Sequence, residues 1–421
     1  MTGETVPKAL GGAGIFTVRN HGVDDYGACA GALAAARRCF RDLGAAGRDA
    51  ISHVRSPAYR GYISMAAENT QGVPDEREQI EFGPEPPPEQ HSGSLPGRAA
   101  ADRDRAAPLY TRLVGPNLWP SERRVPGFRA ALEAFVRACA ALCARLSRLL
   151  SRALGLPGTA FDHYFFEGAA RAEAAPSGGG EGGGGGGRGA MSNFADLSRV
   201  SCTAPPGGGE ASGAEGPHWQ CKIARYPLPT APDPTGGAPS GCGEHTDSGW
   251  LSVLLQDAPG LQVVDRRLLS NGGGGGGWVA APPRDGCLVV VLGEMLALAS
   301  GGAFRATPHR VANAFVPGAT ERVSVPFFWN PRLSAVVAEH PALRARRQGG
   351  GGAAAAEHRA GGEAGSPGGA GGNARNRIIG AYGNNALKSL ARSHPAVTKR
   401  WHGDLVVLRD GTVRRRAPGR L

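Results

Sequence analysis

The stretch between residues 245 and 324 limits the possible folds more than any other, because it alternates short apolar runs with tight-turn residues. Leu251, Val253 and Leu255 mark one run. Pro259-Gly260 then turns the chain into Leu261-Gln262-Val263-Val264, and Arg284-Asp285-Gly286 turns it into the apolar run 288–292. Two further runs, 309–316 and 322–329, flank Pro317-Gly318 and are predicted to pair as a hairpin. Short strands joined by tight turns build antiparallel sheet, so the expected class is mainly β with flanking helices.

Chemistry-bearing side chains sit at set places on this frame. In a strand, residues i and i+2 share a face, so His245 and Asp247 can grip one metal ion side by side. Leu251, Val253 and Leu255 are placed on that same face, running from the ligand end into a core. A pair fills only part of a coordination sphere, and His309, in a β-branched and aromatic-rich run, is the candidate third ligand. Two histidines and a carboxylate with open positions is the arrangement of non-haem ferrous oxygenases. H-x-D alone is equally at home on an exposed strand that binds nothing; the other residues give it weight. Arg322 and Ser324 also differ by two and share a face. A guanidinium fork offers two parallel charged hydrogen bonds to a carboxylate, and a hydroxyl can add a third. A small acid is therefore expected beside the metal.

H-x-D, a distant His and R-x-S, in that order, resemble the catalytic core of the iron(II)/2-oxoglutarate-dependent dioxygenases, in their isopenicillin N synthase-like branch. The resemblance implies a double-stranded β-helix, or jelly roll. It makes His245, Asp247 and His309 the Fe(II) ligands and catalytic centre, with Arg322 and Ser324 on the distal carboxylate of 2-oxoglutarate. Tyr226, in Arg225-Tyr226-Pro227, matches a family Tyr that helps hold that carboxylate, or else is a core aromatic at a strand end. The implied activity uses O2 to hydroxylate, desaturate or otherwise oxidise a small organic substrate, releasing succinate and CO2. Two alternatives stay open: an Fe(II) oxidase of this fold that uses no oxo-acid, as isopenicillin N synthase does not, and a non-catalytic binding protein. A zinc hydrolase also uses His and Asp but gives Arg322 and Ser324 no role. Lys222 shares the face of Tyr226 and is expected to be solvated. The interval from Asp247 to His309 is longer than the family's, largely through the glycine run 272–277, which a loop absorbs at a cost that grows only logarithmically.

Elsewhere the resemblance is weaker but continuous. Residues 14–23 read as a strand ending in Asn20-His21-Gly22, like the family's N-terminal signature, with His21 a turn residue. Residues 1–10 do not supply the apolar-Asp-Leu strand that precedes this signature, which leads us to expect a truncated N-terminus. Residues 25–50 read as one amphipathic helix, with Leu33, Arg37, Phe40 and Leu43 at helical spacing. Arg60-Gly61-Tyr62 with Asp75, Glu78 and Phe82-Gly83 resembles a segment near the family's substrate entrance, so specificity is expected in residues 55–83. After Asn117-Leu118-Trp119-Pro120, residues 128–154 form the clearest helix. Its stripe runs through 132, 135, 136, 139, 142, 143, 146, 149, 150 and 153, and Gly155 and Pro157 stop it.

The expected divisions are an N-terminal dioxygenase region (1–110), a helical segment (111–175), Gly-rich insertions (176–216), the jelly-roll core (217–345), a Gly-rich linker (346–375) and a C-terminal tail (376–421). With 67 glycines in 421 residues, tracts such as 176–189 cannot repay their ordering entropy and are read as disordered. Net charge is +11, but the basic residues are scattered without a nucleic-acid module, which argues against nucleic acid and leaves a field suited to an anionic co-substrate. Eight cysteines without a C-x-x-C pair read as reduced thiols, with Cys139 and Cys143 on a buried helix face. No apolar run approaches membrane-spanning length and no secretory signal opens the chain. A cytoplasmic location is expected, with organelle targeting and oligomeric state left open.

Overall fold

A computed structural model describes residues 14–24, 27–70, 72–86, 107–169, 215–232, 240–265, 277–349, 378–408 and 411–416. The strands in chain order are β1 (Ile15–Arg19), β2 (Gly61–Ile63), β3 (Asn69–Thr70), β4 (Val73–Pro74), β5 (Glu78–Phe82), β6 (His218–Pro227), β7 (Ser240–His245), β8 (Leu251–Gln256), β9 (Leu261–Val264), β10 (Trp278–Ala280), β11 (Cys287–Leu292), β12 (His309–Ala312), β13 (Glu321–Asn330), β14 (Leu405–Val407) and β15 (Val413–Arg415). Seven of them form a sheet in the order β1-β11-β8-β13-β6-β5-β2, and four form a second in the order β10-β9-β12-β7. The pairings within both sheets are antiparallel.

Period-2 alternation assigns each face of the larger sheet. Val323, Val325, Phe327 and Trp329 of β13, with Cys221 and Ile223 of β6 and Ile80 and Phe82 of β5, join the main core under the helices. Their neighbours Arg322, Ser324, Ala224 and Tyr226 point the other way, and Ala224 and Tyr226 meet Cys242, Leu261, Val263 and Val311 of the smaller sheet in a second core. This inner core is small, so much of the interior between the sheets is left to polar side chains. The roll expected from the sequence is present.

The helix Phe128–Ala153 covers the outer face as its stripe requires, burying Leu132, Phe135, Val136, Cys139, Leu142, Cys143, Leu146 and Leu150. Each large apolar side chain so buried contributes about 1.5–3 kcal/mol. Leu149, on the expected stripe, is instead 53% exposed. In place of the one helix expected over 25–50 the described residues form two, Ala28–Asp42 and Gly44–Ala50, because Gly44 takes a left-handed φ of 63° at the junction. The C-terminal helices Tyr382–Ser393 and Pro395–Trp401 fold back on the N-terminal region, where the Trp401 indole donates to the Val54 carbonyl at 2.9 Å.

The predicted hairpin is not formed. Only residues 309–312 of the first run are strand, and β12 pairs with β7 and β9 in the smaller sheet, while β13 pairs with β6 and β8 in the larger. Pro317 and Gly318 lie in a crossing between sheets, and Arg322 reaches the site from the opposite wall. Residues 176–189, 272–276 and most of 204–216 and 348–374 lie outside the described residues. The seven described cysteines are free thiols; Cys202 lies outside.

Candidate metal centre and co-substrate pocket

His245 ends β7 and His309 begins β12, and the two residues face each other in the sheet register with ring centroids 4.3 Å apart. Asp247 lies two residues beyond the end of β7, and its Oδ1 is 3.8 Å from His245 Nε2 and 3.7 Å from His309 Nε2. One donor atom from each of the three lies within 4.8 Å of the others, which fits a single ion. Tautomers are set from behind. His245 Nδ1 bonds the Gly243 carbonyl and His309 Nδ1 the Thr307 carbonyl, each at 2.9 Å. A carbonyl only accepts, so both Nδ1 atoms carry the proton and both Nε2 lone pairs face the carboxylate. Burial, then the neighbouring His245, hold the His309 imidazole below its ordinary pKa and so in the neutral, ligating form.

The strand after Asp247 has the opposite parity to that expected. Residues 246–250 leave the extended pairing, and β8 restarts with Leu251, Val253 and Leu255 toward the helices. The site face is Ser252, Leu254 and Gln256. Ser252 Oγ donates to Asp247 Oδ2, leaving Oδ1 toward the histidines, and Gln256 Oε1 accepts from Arg322 Nη2 at 2.8 Å. Both residues were missed in the sequence, although two polar side chains at alternate positions of an otherwise apolar strand were a signal available there. Thr246 donates to Glu294 at 2.6 Å, and burial raises the Glu294 carboxyl above its ordinary range.

Arg322 is 1% exposed, stacked over the Tyr226 ring with 4.8 Å from guanidinium carbon to centroid. Its Nε donates to the Ala258 carbonyl at 3.1 Å, Nη2 is taken by Gln256, and Nη1 has no partner. Neutral oxygens hold this cation, and among the described residues no carboxylate pairs with it. A buried, uncompensated guanidinium with one free N–H edge is a receptor for an anion. Ser324 lies on the same face, buried beside Gln256 in the pairing register. All six residues singled out in the sequence therefore line the interior of the roll.

One other expectation changes. Lys222 is not solvated: its Nζ lies 2.6 Å from Glu81 and 4.0 Å from Glu68, with its side chain 16% exposed. Arg60, in the segment likened to a substrate entrance, is buried and donates to the carbonyls of Pro84, Leu113 and Gly115 and to Asn117 Oδ1. His21 is a turn residue as expected, its Nδ1 accepting from the Val23 N–H at 3.1 Å.

A β roll holding two histidines, one carboxylate and a buried arginine has the ligand set of a non-haem ferrous oxygenase. Comparison with known proteins agrees. Residues 218–331 match the 2OG-Fe(II) oxygenase superfamily, and residues 2–122 match the family described as non-haem dioxygenase in morphine synthesis N-terminal. The 2-oxoglutarate-dependent dioxygenase frbJ of Dothideomycetidae sp. (strain 11243) is 28% identical over 69% of this chain, which spans 59% of that protein's length. Homoarginine-6-hydroxylase 2-ODD-233 of Oryza sativa subsp. japonica is 26% identical over 80% of each chain. Among solved structures, a full-length Neurospora crassa protein in complex with alpha-KG superposes with a TM-score of 0.52 at 20% identity over 81% of this chain and 83% of that one. JOX2, in complex with 2OG, Fe and JA, gives 0.50 at 22% identity over 80% and 73%. The chain belongs to the Fe(II)/2-oxoglutarate-dependent dioxygenases. Its metal is Fe(II) and its co-substrate 2-oxoglutarate. Among the described residues, no helix is long and apolar enough to cross a membrane.

Proposed function

We propose that His245, Asp247 and His309 hold the iron, that Arg322, Ser324 and Tyr226 receive the distal carboxylate of 2-oxoglutarate, and that the enzyme oxidises a small organic substrate with O2. The observation that carries this reading is the uncompensated Arg322 guanidinium, with its open Nη1, inside the same roll as the metal triad. Bound iron supplies the oxidising chemistry, coupled to conversion of 2-oxoglutarate to succinate and CO2. This chain's own residues do the positioning. Thr307 and Gly243 carbonyls fix the imidazoles, Ser252 fixes the carboxylate, and Gln256 with Ala258 turns the guanidinium edge toward the co-substrate. The Tyr226 ring packs against the guanidinium and steadies its orientation.

An oxidase that binds a substrate carboxylate at Arg322 would share this geometry, but it is not favoured by relatives and neighbours that use 2-oxoglutarate. The test is to incubate purified protein with Fe(II), labelled 2-oxoglutarate and a metabolite extract. Labelled succinate that requires iron, with a matching oxidised product, is expected. Oxidation that proceeds without any oxo-acid would overturn the co-substrate assignment and leave the iron site standing.

A further inference from the structure

A group of charged side chains faces the same interior, and apart from Arg77, which donates to the Tyr226 hydroxyl at 3.4 Å, it makes no described hydrogen bond to the residues proposed to hold iron or 2-oxoglutarate. Gln79 and Glu81 on β5, and Lys222 on β6, alternate with Ile80, Phe82, Cys221 and Ile223 of the helix-side core, so they face into the roll. Glu68, Asp75 and Arg77 join them. Lys222 Nζ is 2.6 Å from Glu81, and Arg77 Nη2 is 2.8 Å from Glu68 and 3.1 Å from Asp75. Gln79 Nε2 donates to both Glu68 and Glu81 at 2.8 Å. Asp75 in turn accepts from the Gly243 N–H at 3.2 Å, on the strand that ends in His245. His394, from the C-terminal tail, closes the far side with Nε2 3.9 Å from Glu81.

Charge and hydrogen-bond accounting point one way. Three carboxylates (Glu68, Asp75, Glu81) face two permanent cations (Arg77, Lys222), and both cations are already spent on carboxylates. Burial works against the charge on Glu68, but Lys222 and Arg77 prevail and hold its carboxyl well below the ordinary range. His394 Nδ1 lies 2.7 Å from Ser393 Oγ, and its Nε2 has no hydrogen-bond partner. Gln79 Oε1, which can only accept, has none either; Gln79 is 1% exposed and His394 2%. A buried amide oxygen left open beside an excess negative charge calls for a donor that carries positive charge.

Resting on the oxygenase reading above, we propose that Glu68, Gln79, Glu81 and His394 form a substrate subsite for a cationic hydrogen-bond donor, an ammonium or guanidinium group. A metal ion is the rival occupant, since Glu68, Glu81 and His394 also place three donor atoms within 4.8 Å of one another. Lys222 and Gln79 already donate to these carboxylates, which leaves lone pairs for a further hydrogen bond but no bare coordination sphere for a metal ion.

The test uses wild-type protein with Fe(II) and 2-oxoglutarate under anaerobic conditions, titrated calorimetrically with L-arginine against its neutral isostere L-citrulline, and with L-lysine against L-norleucine. The cationic member of each pair is expected to bind at least about 10-fold more tightly, the worth of one charged hydrogen bond. Equal affinities within the pairs, a preference for the neutral members, or no binding of any probe while 2-oxoglutarate binds would overturn the subsite. Glu68→Gln should shrink the discrimination severalfold, and discrimination unchanged in that variant would also overturn it. Failure of 2-oxoglutarate itself to bind would instead sink the oxygenase reading, so the two failures are distinguishable.

Discussion

Replacing Arg322 by Lys keeps one positive charge and removes the planar fork. In the structure Nε is committed to Ala258 and Nη2 to Gln256, so Nη1 is the edge left for the co-substrate. A lysine ammonium in the same buried channel cannot satisfy both neutral oxygens and still offer an aligned N–H to the anion. The loss of about one charged hydrogen bond, roughly 1.5–3 kcal/mol, corresponds to about 10- to 150-fold weaker 2-oxoglutarate binding. Iron binding should not change, because none of the three ligands touches Arg322 through a described hydrogen bond. The assay is succinate formation across a range of 2-oxoglutarate concentrations, with Fe(II) affinity measured on the same samples. A shift in KM below about 3-fold would refute the reasoning, since one charged hydrogen bond is worth more than that.

Three further outcomes follow from particular contacts. Ser252→Ala frees Asp247 Oδ2 and should lower iron affinity about 10- to 100-fold, read by competitive chelation, while leaving the circular dichroism spectrum unchanged. Lys222→Met leaves Glu68 and Glu81 facing each other in the interior and should cost about 3–5 kcal/mol in denaturant unfolding; a loss below about 1 kcal/mol would mean the lysine is solvated after all. Burial, aided by Arg60, depresses the His218 pKa to about 3, below its unfolded value of about 6.5, so the folded chain stays neutral there while the unfolded chain takes a proton. Stability from this residue is therefore full above about pH 6.5 and falls as pH drops toward 3, by about 2 kcal/mol at pH 5, and His218→Gln should flatten that slope in unfolding measured at pH 7 and pH 5.

The residues of the proposed site were legible in the sequence because chemistry restricts residue type. Only a few side chains bind iron, and only a guanidinium offers the fork, so His245, Asp247, His309 and Arg322 stand out wherever the fold later places them. Strand partners were not legible in the same way. The runs containing β12 and β13 are separated by a short turn-like segment, and local pattern favours a hairpin. The actual pairing of β12 with β7 and of β13 with β6 and β8 is set by closure of the roll, which is nonlocal. Parity failed at Asp247 for a local reason: residues 246–250 are not extended, so counting by twos does not carry across them. Lys222 was misjudged because its partners, Glu68 and Glu81, lie far away in the chain and meet it only through the pairing of β5 with β6. Six acidic, basic and amide side chains facing the interior cannot be told from a solvated strand face until that pairing is known.

The most direct test of the account is Fe(II) binding and iron-dependent succinate production in wild type and in His309→Ala, measured side by side. One Fe(II) per chain with succinate formed only in its presence, and both abolished in the variant, is the result the geometry requires. Full iron binding and full activity in His309→Ala would contradict the assignment of His245, Asp247 and His309 as one metal centre.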